Sequence, residues 1–411
     1  FILMWGIYTF LQLPIFDAFN PISVALSDFE MTDIAFSKMR GRDDVPSDTN
    51  VVVVNISAPY IIKRSDFAQQ VRIINKYDPK VIGVDSFYDV PKSDTLGDLL
   101  LADALSEVKN LVMVTSLIYN ESNETYDSLR RSWEPFRANA HEGFANLDTD
   151  ANVQQDFKAC RQFPPTKMVN GEKQLAFSVK VAELFNPAAA KRFLDRNNEW
   201  ETINYSGNIV DLHNASDFSG KFTFLDWDTV LDENFEPSLI KDKIVLFGFA
   251  GENIFDTSWD DKFFTPLNRH YAGKTNPDMY GVVVHANIIS MILQDAPIDS
   301  LSIFWDIVLG VLLCFLNVVL FSIIYHKLPK WYDGLTKLIQ LAEVLVLVFI
   351  IILVFANSSF SLNLTIGLAA VALAGDSLEV YYGVVDNLIV RIRAWVLDFL
   401  GKASQENVES S

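Results

Sequence analysis

Apolar positions crowd the two ends of the chain, and the stretch between them alternates as a folded, water-facing domain does. Near the C-terminus three runs are almost unbroken: Leu301 to Tyr325, Leu338 to Ala356, and Leu362 to about Val385. Each is close to the ~20 residues that cross a hydrocarbon core as a helix. Phe1 to Leu13 is apolar and carries Trp5 and Tyr8. No initiator Met precedes it and no small-residue cleavage site follows. A retained helix already under way at residue 1 is the expectation, with a cleaved signal peptide as the competing reading.

The middle has a different rhythm. Val51 to Ile56 is a β-branched run of strand length, and Ser65 to Lys76 has helical spacing with Phe67, Val71, Ile73 and Ile74 apolar. Val81 to Asp85 predicts a second buried strand. Asp98 to Val108 predicts a helix with Leu99, Leu100, Ala104 and Leu105 inward, and Leu111 to Ser116 a third strand. Strands alternating with helices of this size argue for βαβ units, and continuous apolar strands for a sheet covered on both faces. Glu121 to Ala140 is polar and aromatic without period and reads as an excursion from the sheet. The pattern returns with a helix at Leu175 to Phe185, a core strand at Lys243 to Gly248 and a helix at Tyr280 to Leu293 that heads toward the membrane. The fold class expected is α/β: a mixed, largely parallel sheet with flanking helices, plus an all-α membrane part of about four transmembrane helices. The boundaries are 1–16 for an N-terminal membrane helix, 17–300 for the α/β domain, 301–385 for three membrane helices, and 386–411 for an amphipathic helix and polar tail.

Basic residues orient the chain. Lys327, Lys330 and Lys337 lie between the first two C-terminal runs, and Arg391, Arg393 and Lys402 follow the last, whereas Asn357 to Ser361 has none. The positive-inside rule places that loop and that tail in the cytoplasm and the large domain outside. Four crossings then put both termini in the cytoplasm. A multi-pass protein of a bacterial inner membrane, with its large domain in the periplasm, is the expectation.

Composition narrows the chemistry. A net charge of −19 over 411 residues excludes nucleic acid as a partner, since phosphate binding needs a basic surface. Two cysteines, Cys160 and Cys314, and five scattered histidines fit neither a disulfide framework nor a metal site, so no metal or cofactor is expected. No nucleophile-elbow serine and no phosphate loop is framed, and no catalytic residue is assigned.

The ordered blocks "DFEMTDIAFSKMRGR" (28–42), "VVVVNI" (51–56), "YDPKVIGVDSFYDVP" (77–91), "GDLLLADALSEVKNLVMV" (97–114), "GFANLDTDANV" (143–153), "SLIKDKIVLFGFAG" (238–251), "DDKFFTPL" (260–267) and "YGVVVHANIISMIL" (280–293), followed at once by three apolar runs, resemble the second type of CHASE domain. The resemblance covers most of 16–298 and implies an extracellular sensory domain of the kind associated with cyclases and histidine kinases. Two positions depart from it. Asn55 and Ser57 stand where relatives usually carry Asp after the first strand, and Gln154 stands near the usual Arg. If those positions touch a ligand in relatives, this chain binds something else or nothing. Relatives often end in a catalytic module, and only residues 386–411 follow the last helix here, so the expectation is that output passes to another polypeptide.

Several residues stand out as candidates. Asp85 ends a buried strand, where ligand sites of α/β sheets lie; the plainer reading is a helix cap or a bond to loop amides. Asp260, Asp261 and Thr265 form a polar loop near Gly248 and Gly251, read either as a small-ligand pocket or as a turn. His285 and Asn287, two apart in one helix, face different ways, and His285 reads as a satisfied structural histidine. In the membrane part Glu343, Asp376 and Glu379 are acidic groups in or near hydrocarbon. They read as contacts for a partner's helix or as a proton path, with the plainer reading for Asp376 and Glu379 that they already lie near the inner interface. Trp395, in an amphipathic stretch from Asp386 to Phe399, needs a membrane surface or a partner to cover it. The expected partners are the lipid bilayer, other membrane or envelope proteins, and a small-molecule ligand of the outer domain. Two functions survive: a sensor acting through partner proteins, and a scaffolding subunit of an envelope complex.

Overall fold

A computed structural model describes residues 33, 35–39, 48–56, 63–120, 122, 124–147, 159–209, 220–252, 258–268, 276–362, 364–385 and scattered positions up to 394. The expected membrane helix at 1–16 and Trp395 lie outside them. The described residues form two compact units, one up to Asp299 (with 356–359) and one made of the remaining residues from Ser300 on.

The first unit is built on β1 (Asp48–Asn55), α1 (Arg64–Asn75), β2 (Val81–Asp85), α2 (Thr95–Ser106), β3 (Leu111–Asn120), β4 (Thr125–Arg130), β5 (His141–Phe144), the hairpin β6 (Thr166–Val169) and β7 (Glu172–Leu175), α3 (Phe177–Phe185), α4 (Pro187–Leu194), β8 (Phe222–Leu225), α5 (Trp227–Leu231), β9 (Ile244–Gly248) and α6 (Gly281–Leu293). Its main sheet runs β8-β1-β9-β2-β3-β4, with β5 also pairing β3. Every pairing is parallel except β3 with β4. The last strand to form in sequence, β9, inserts between β1 and β2. The βαβ unit at the start of the domain therefore closes around a strand about 150 residues further along.

Successive strand residues point to opposite faces, and here both faces are covered. On one face Val52, Val54, Ile82, Val84, Val245 and Phe247 pack with Phe67, Val71 and Ile74 of α1 and Leu101, Ala104 and Leu105 of α2. On the other, Gly83 lies against Phe177 and Val181 of α3, and Gly248 against Val282 of α6. Residues Gly281 to Ile292 of α6 are all buried, as a helix that is apolar on every side must be. Beside α1, Arg64 forms a buried ion pair with Asp98, donates to the Val90 carbonyl at 2.7 Å and lies between the Tyr88 and Phe136 rings.

Two expectations are corrected. Leu99 does not point inward: it is 68% exposed, and Leu101 takes its place in the core. The helix starts earlier than expected, at Thr95, where the Asp94 carboxylate accepts from the Gly97 amide and caps it; its buried face carries Asp98, paired with Arg64, and Leu101 and Leu105, which leaves Leu99 outside. The segment after β3 does not leave the sheet. Thr125–Arg130 turns back as β4 and pairs antiparallel with the outer half of β3, from Ser116 to Asn120. A single-faced edge strand carries no continuous apolar run, so its pattern is weak in the sequence.

The second unit contains three helices long and apolar enough to cross a membrane: α7 (Ile303–Lys327), α8 (Tyr332–Ser358) and α9 (Thr365–Val380), the last continued by a π-helical turn to Val385. Gly310 of α7 meets Ile366 and Gly367 of α9, the close backbone approach that small residues allow between membrane helices. Polar ties hold α8 to α9: the Tyr332 hydroxyl donates to the Gly375 carbonyl at 3.0 Å, and Gln340 donates to the carbonyls of Val371 and Ala372 at 3.0 and 2.9 Å.

The approach of α6 to β9 yields a test. A Cβ at Gly248 would stand 2.5 Å from Val282 Cβ, so Gly248→Ala must push α6 off the sheet. A Cβ at Gly83 would meet only the outer ends of Leu246 and Phe177, at 2.8 Å, which can turn aside. Denaturation of the purified full chain should show Gly248→Ala less stable by about 1–3 kcal/mol. Gly83→Ala should cost less. Equal costs would mean that α6 yields as freely as a side chain.

Candidate functional site

The parallel register assembles a site at the carboxyl edge of the sheet. Asn55, Gly248 and Asp85 are in line across β1, β9 and β2, and each lies two residues beyond a residue of the α3/α6 face. All three therefore end their strands on that face, at the edge where α/β folds commonly place ligands. Asn55 is a brace. Its amide donates to Asp226 Oδ1 at 2.9 Å and to the Gly251 carbonyl at 3.0 Å, and its side-chain oxygen accepts from the Ala250 amide at 3.0 Å. One side chain thus fixes the start of α5 and the turn after β9, in which Gly251 adopts φ +84°. Gly248 serves close approach, and what approaches it is the Val282 side chain of α6.

Asp85 is the centre of the site. Its side chain is 13% exposed, and Oδ2 lies 4.0 Å from Nε2 of His285 on α6. It caps no helix, since α2 is capped by Asp94, and its carboxylate makes no hydrogen bond to a described residue. Nδ1 of His285 lies 2.7 Å from the Ser178 hydroxyl, in the first turn of α3, and the Phe177 ring meets the imidazole edge-on. When Ser178 donates to Nδ1, the ring proton sits on Nε2, on the side of Asp85. Asp261 comes to the same place from the loop before α6. Its backbone is left-handed at φ +54°, and its carbonyl accepts from the Gly281 amide at 2.9 Å. The residue is exposed, yet both carboxylate oxygens lie against Gly281, 3.1 and 3.3 Å from where a Cβ would stand. Gly281 and His285 are one helical turn apart, so one face of α6 meets both carboxylates.

The electrostatics follow from burial. Loss of water pushes Asp85 up to about 8, and the charge on Asp261 pushes in the same direction. Burial pushes Asp261 up to about 7 and pushes His285 down to about 3. At neutral pH the site holds a neutral imidazole beside Asp85, which keeps its proton, and Asp261, which is partly protonated. Such groups can donate as well as accept, which ionised carboxylates cannot. Among the described residues no three His, Cys, Asp or Glu gather as a metal site.

The other sequence candidates lie elsewhere. Asp260 is exposed in the turn beside Asp261. Thr265 is fully buried, and its hydroxyl and amide donate to Asp278 at 2.6 and 2.8 Å. Burial pushes Asp278 up to about 7, against the pull of those bonds. In the membrane unit Asp376 forms an ion pair with Lys337, and Glu379 is exposed. Glu343 is half-buried, with Oε2 enclosed and without a partner. His285 reads in the sequence as a satisfied structural histidine; its one further signal is a titratable ring in a helix of thirteen residues that otherwise offers only Asn287 and Ser290 as polar side chains. Ser178 gives no signal in the sequence as a site residue, and Asn55 stands out only as a departure from its relatives; the roles of both depend on partners more than a hundred residues away.

The sign of the pH effect is fixed. A carboxyl whose folded-state pKa is raised contributes stability fully below about pH 4 and loses it as pH rises through about 7–8. Asp85→Asn removes that loss. Melting of the full chain should therefore show the variant gaining on the wild type as pH rises from 6 to 9. Parallel pH profiles would mean that Asp85 is ionised throughout.

No curated protein and no solved structure gives a significant match to the chain. A family model does match, that of the CHASE2 domain, over residues 8–322, which takes in the sheet, the Asp85 site and the first described membrane helix. The chain belongs to the CHASE2 family of extracellular sensory domains.

Proposed function

We propose that the chain is a membrane-anchored sensor whose α/β domain stands in the periplasm, on a bacterial inner membrane, and passes its signal inward to partner proteins. The observation that carries this reading is α6. That helix covers the carboxyl edge of the sheet and contributes His285 to the site; it ends at Leu293, and the first apolar span begins at Ile303. A change at the site that moves α6 acts on the chain just before it enters the bilayer. Orientation rests on Lys327, Lys330 and Lys337 between α7 and α8, which the positive-inside rule assigns to the cytoplasm, with both termini on the same side. Coupling of this kind needs a signal with different affinity for two states of the domain. The enclosed, partnerless oxygen of Glu343 supports contact with another membrane protein, since a carboxyl in hydrocarbon is costly until it is paired.

A scaffolding role is the second reading. It is favoured by Val90, Leu96 and Leu99, three large apolar side chains more than 60% exposed on and just before α2.

Two measurements test these readings. In intact cells a membrane-impermeant maleimide should label Lys92→Cys and spare Lys330→Cys, with little background because Cys160 and Cys314 are buried. The reverse pattern overturns the orientation. Gentle extraction from the native membrane, followed by mass spectrometry, should return a stoichiometric partner with a cytoplasmic output domain. A purely extracytoplasmic partner favours the scaffold, and a lone protein sinks both readings.

A further inference from the structure

At one place among the described residues, two carboxyls without hydrogen-bonded cations face the first turns of α6, Asp85 beside the His285 imidazole and Asp261 beside Gly281. Asp85 comes from β2, Asp261 from the turn before α6, and His285 from α6 itself. The remaining groups around them are accounted for. Ser178 of α3 occupies Nδ1 of His285. Asp226 is held by Asn55 and the Trp227 amide. The Lys262 ammonium stands 4.8 Å over the Tyr280 ring, Asp278 is held by Thr265, and Lys180 of α3 pairs with Glu183. Asp260 is exposed. No cation among these is shown to pair with Asp85 or Asp261.

Resting on the sensory reading above, we propose that Asp85, Asp261 and His285 form a proton-operated latch on α6, so that the signal the domain reads is external pH. With protons on the carboxyl pair, both groups lie against the Gly281–His285 face of α6 without net charge, and the helix stays seated on the sheet. Loss of those protons places a buried charge on Asp85 beside a second on Asp261 at the rim, and the repulsion is relieved when α6 lifts and water reaches Asp85. His285 sets the opposite limit. It is neutral in the seated helix, and an opened helix exposes it to protonation at low pH. The seated state is therefore most favoured in a band at mildly acidic pH, and α6 loosens as pH rises through neutrality.

Burial supports each direction. The two carboxyls are held above their ordinary range and the imidazole below its own. Above about pH 6.5 the histidine is neutral in both states, so opening releases protons only from the carboxyls. The opening equilibrium should then rise by at least about tenfold from pH 6.5 to 8.

The test is hydrogen exchange, read by mass spectrometry on peptides covering Gly281–Leu293, in the full chain in lipid nanodiscs, with each rate divided by its intrinsic chemical rate at that pH. The expected result is a corrected rate that climbs at least about tenfold over this interval in the wild type and a much flatter profile in Asp85→Asn. Asp261→Asn, in an exposed turn, is the second variant should Asp85→Asn fold poorly, and it should flatten the profile in part. A flat wild-type profile, or one whose slope survives both substitutions, overturns the latch and leaves the sensory reading standing. A climbing profile in a protein that extracts alone supports the latch and counts against signalling through partners.

Discussion

The structure depends on one close approach, that of α6 to the end of β9. Gly248 admits it, because any larger residue would meet Val282 at a distance that no side chain tolerates. Once α6 is seated there, its first turn lies over the carboxyl ends of the neighbouring strands. His285 is delivered to Asp85, and Gly281 to the Asp261 carboxylate. The same contact buries twelve consecutive residues of the helix, so the apolar driving force is large and the polar groups beneath α6 are carried into a dry place with it. The site is thus a by-product of packing in its position and an exception to packing in its chemistry.

That exception has a cost. Buried carboxyls normally find an arginine or several amides, as Asp98 finds Arg64 and Asp278 finds Thr265 in this same domain. Asp85 finds only an imidazole at 4.0 Å, and Asp261 only the start of a helix. The positive end of α6 offsets part of the cost of their charge. Protons offset the rest at the lower end of the pH range. The contrast inside one fold is informative: the domain satisfies its buried acids Asp33, Asp48, Asp98, Glu201 and Asp278 with hydrogen bonds or ion pairs, but not the carboxyl of Asp85 at the carboxyl edge of the sheet.

The sheet was legible in the sequence because parallel strands buried on both faces are continuous apolar runs, as at 51–54, 81–84 and 244–247. Their order was not, since nothing local to 244–248 says that it will lie between β1 and β2. The edge strand β4 escaped notice because it has a mostly polar, half-exposed pattern. Leu99 was placed inward because a run of three leucines offers several phases, and the choice among them is made by partners outside the helix, Arg64 for Asp98 and the sheet core for Leu101 and Leu105. The site divides in the same way. Asp85 and Asp261 could be suspected from their places at a strand end and in a polar turn. Their meeting with His285 and Ser178 could not, because it is made by three elements separated by about a hundred residues each along the chain. Thr265 and Asp261 look alike in the sequence, as polar residues of one loop. They part in the fold because Thr265 turns inward to Asp278 and Asp261 turns along the helix.

A domain can influence the membrane segments it is joined to only through groups that differ in free energy between its states. Most of the groups that α6 touches are apolar and indifferent to pH, to ions and to small polar solutes. One pKa unit corresponds to about 1.4 kcal/mol, and couplings between distant sites are of the order of 1–3 kcal/mol. A raised carboxyl need therefore be relieved by only a unit or two on opening to supply the whole of such a coupling. The carboxyl pair is the part of the α6 contact that meets this condition, and it lies at the N-terminal end of that helix.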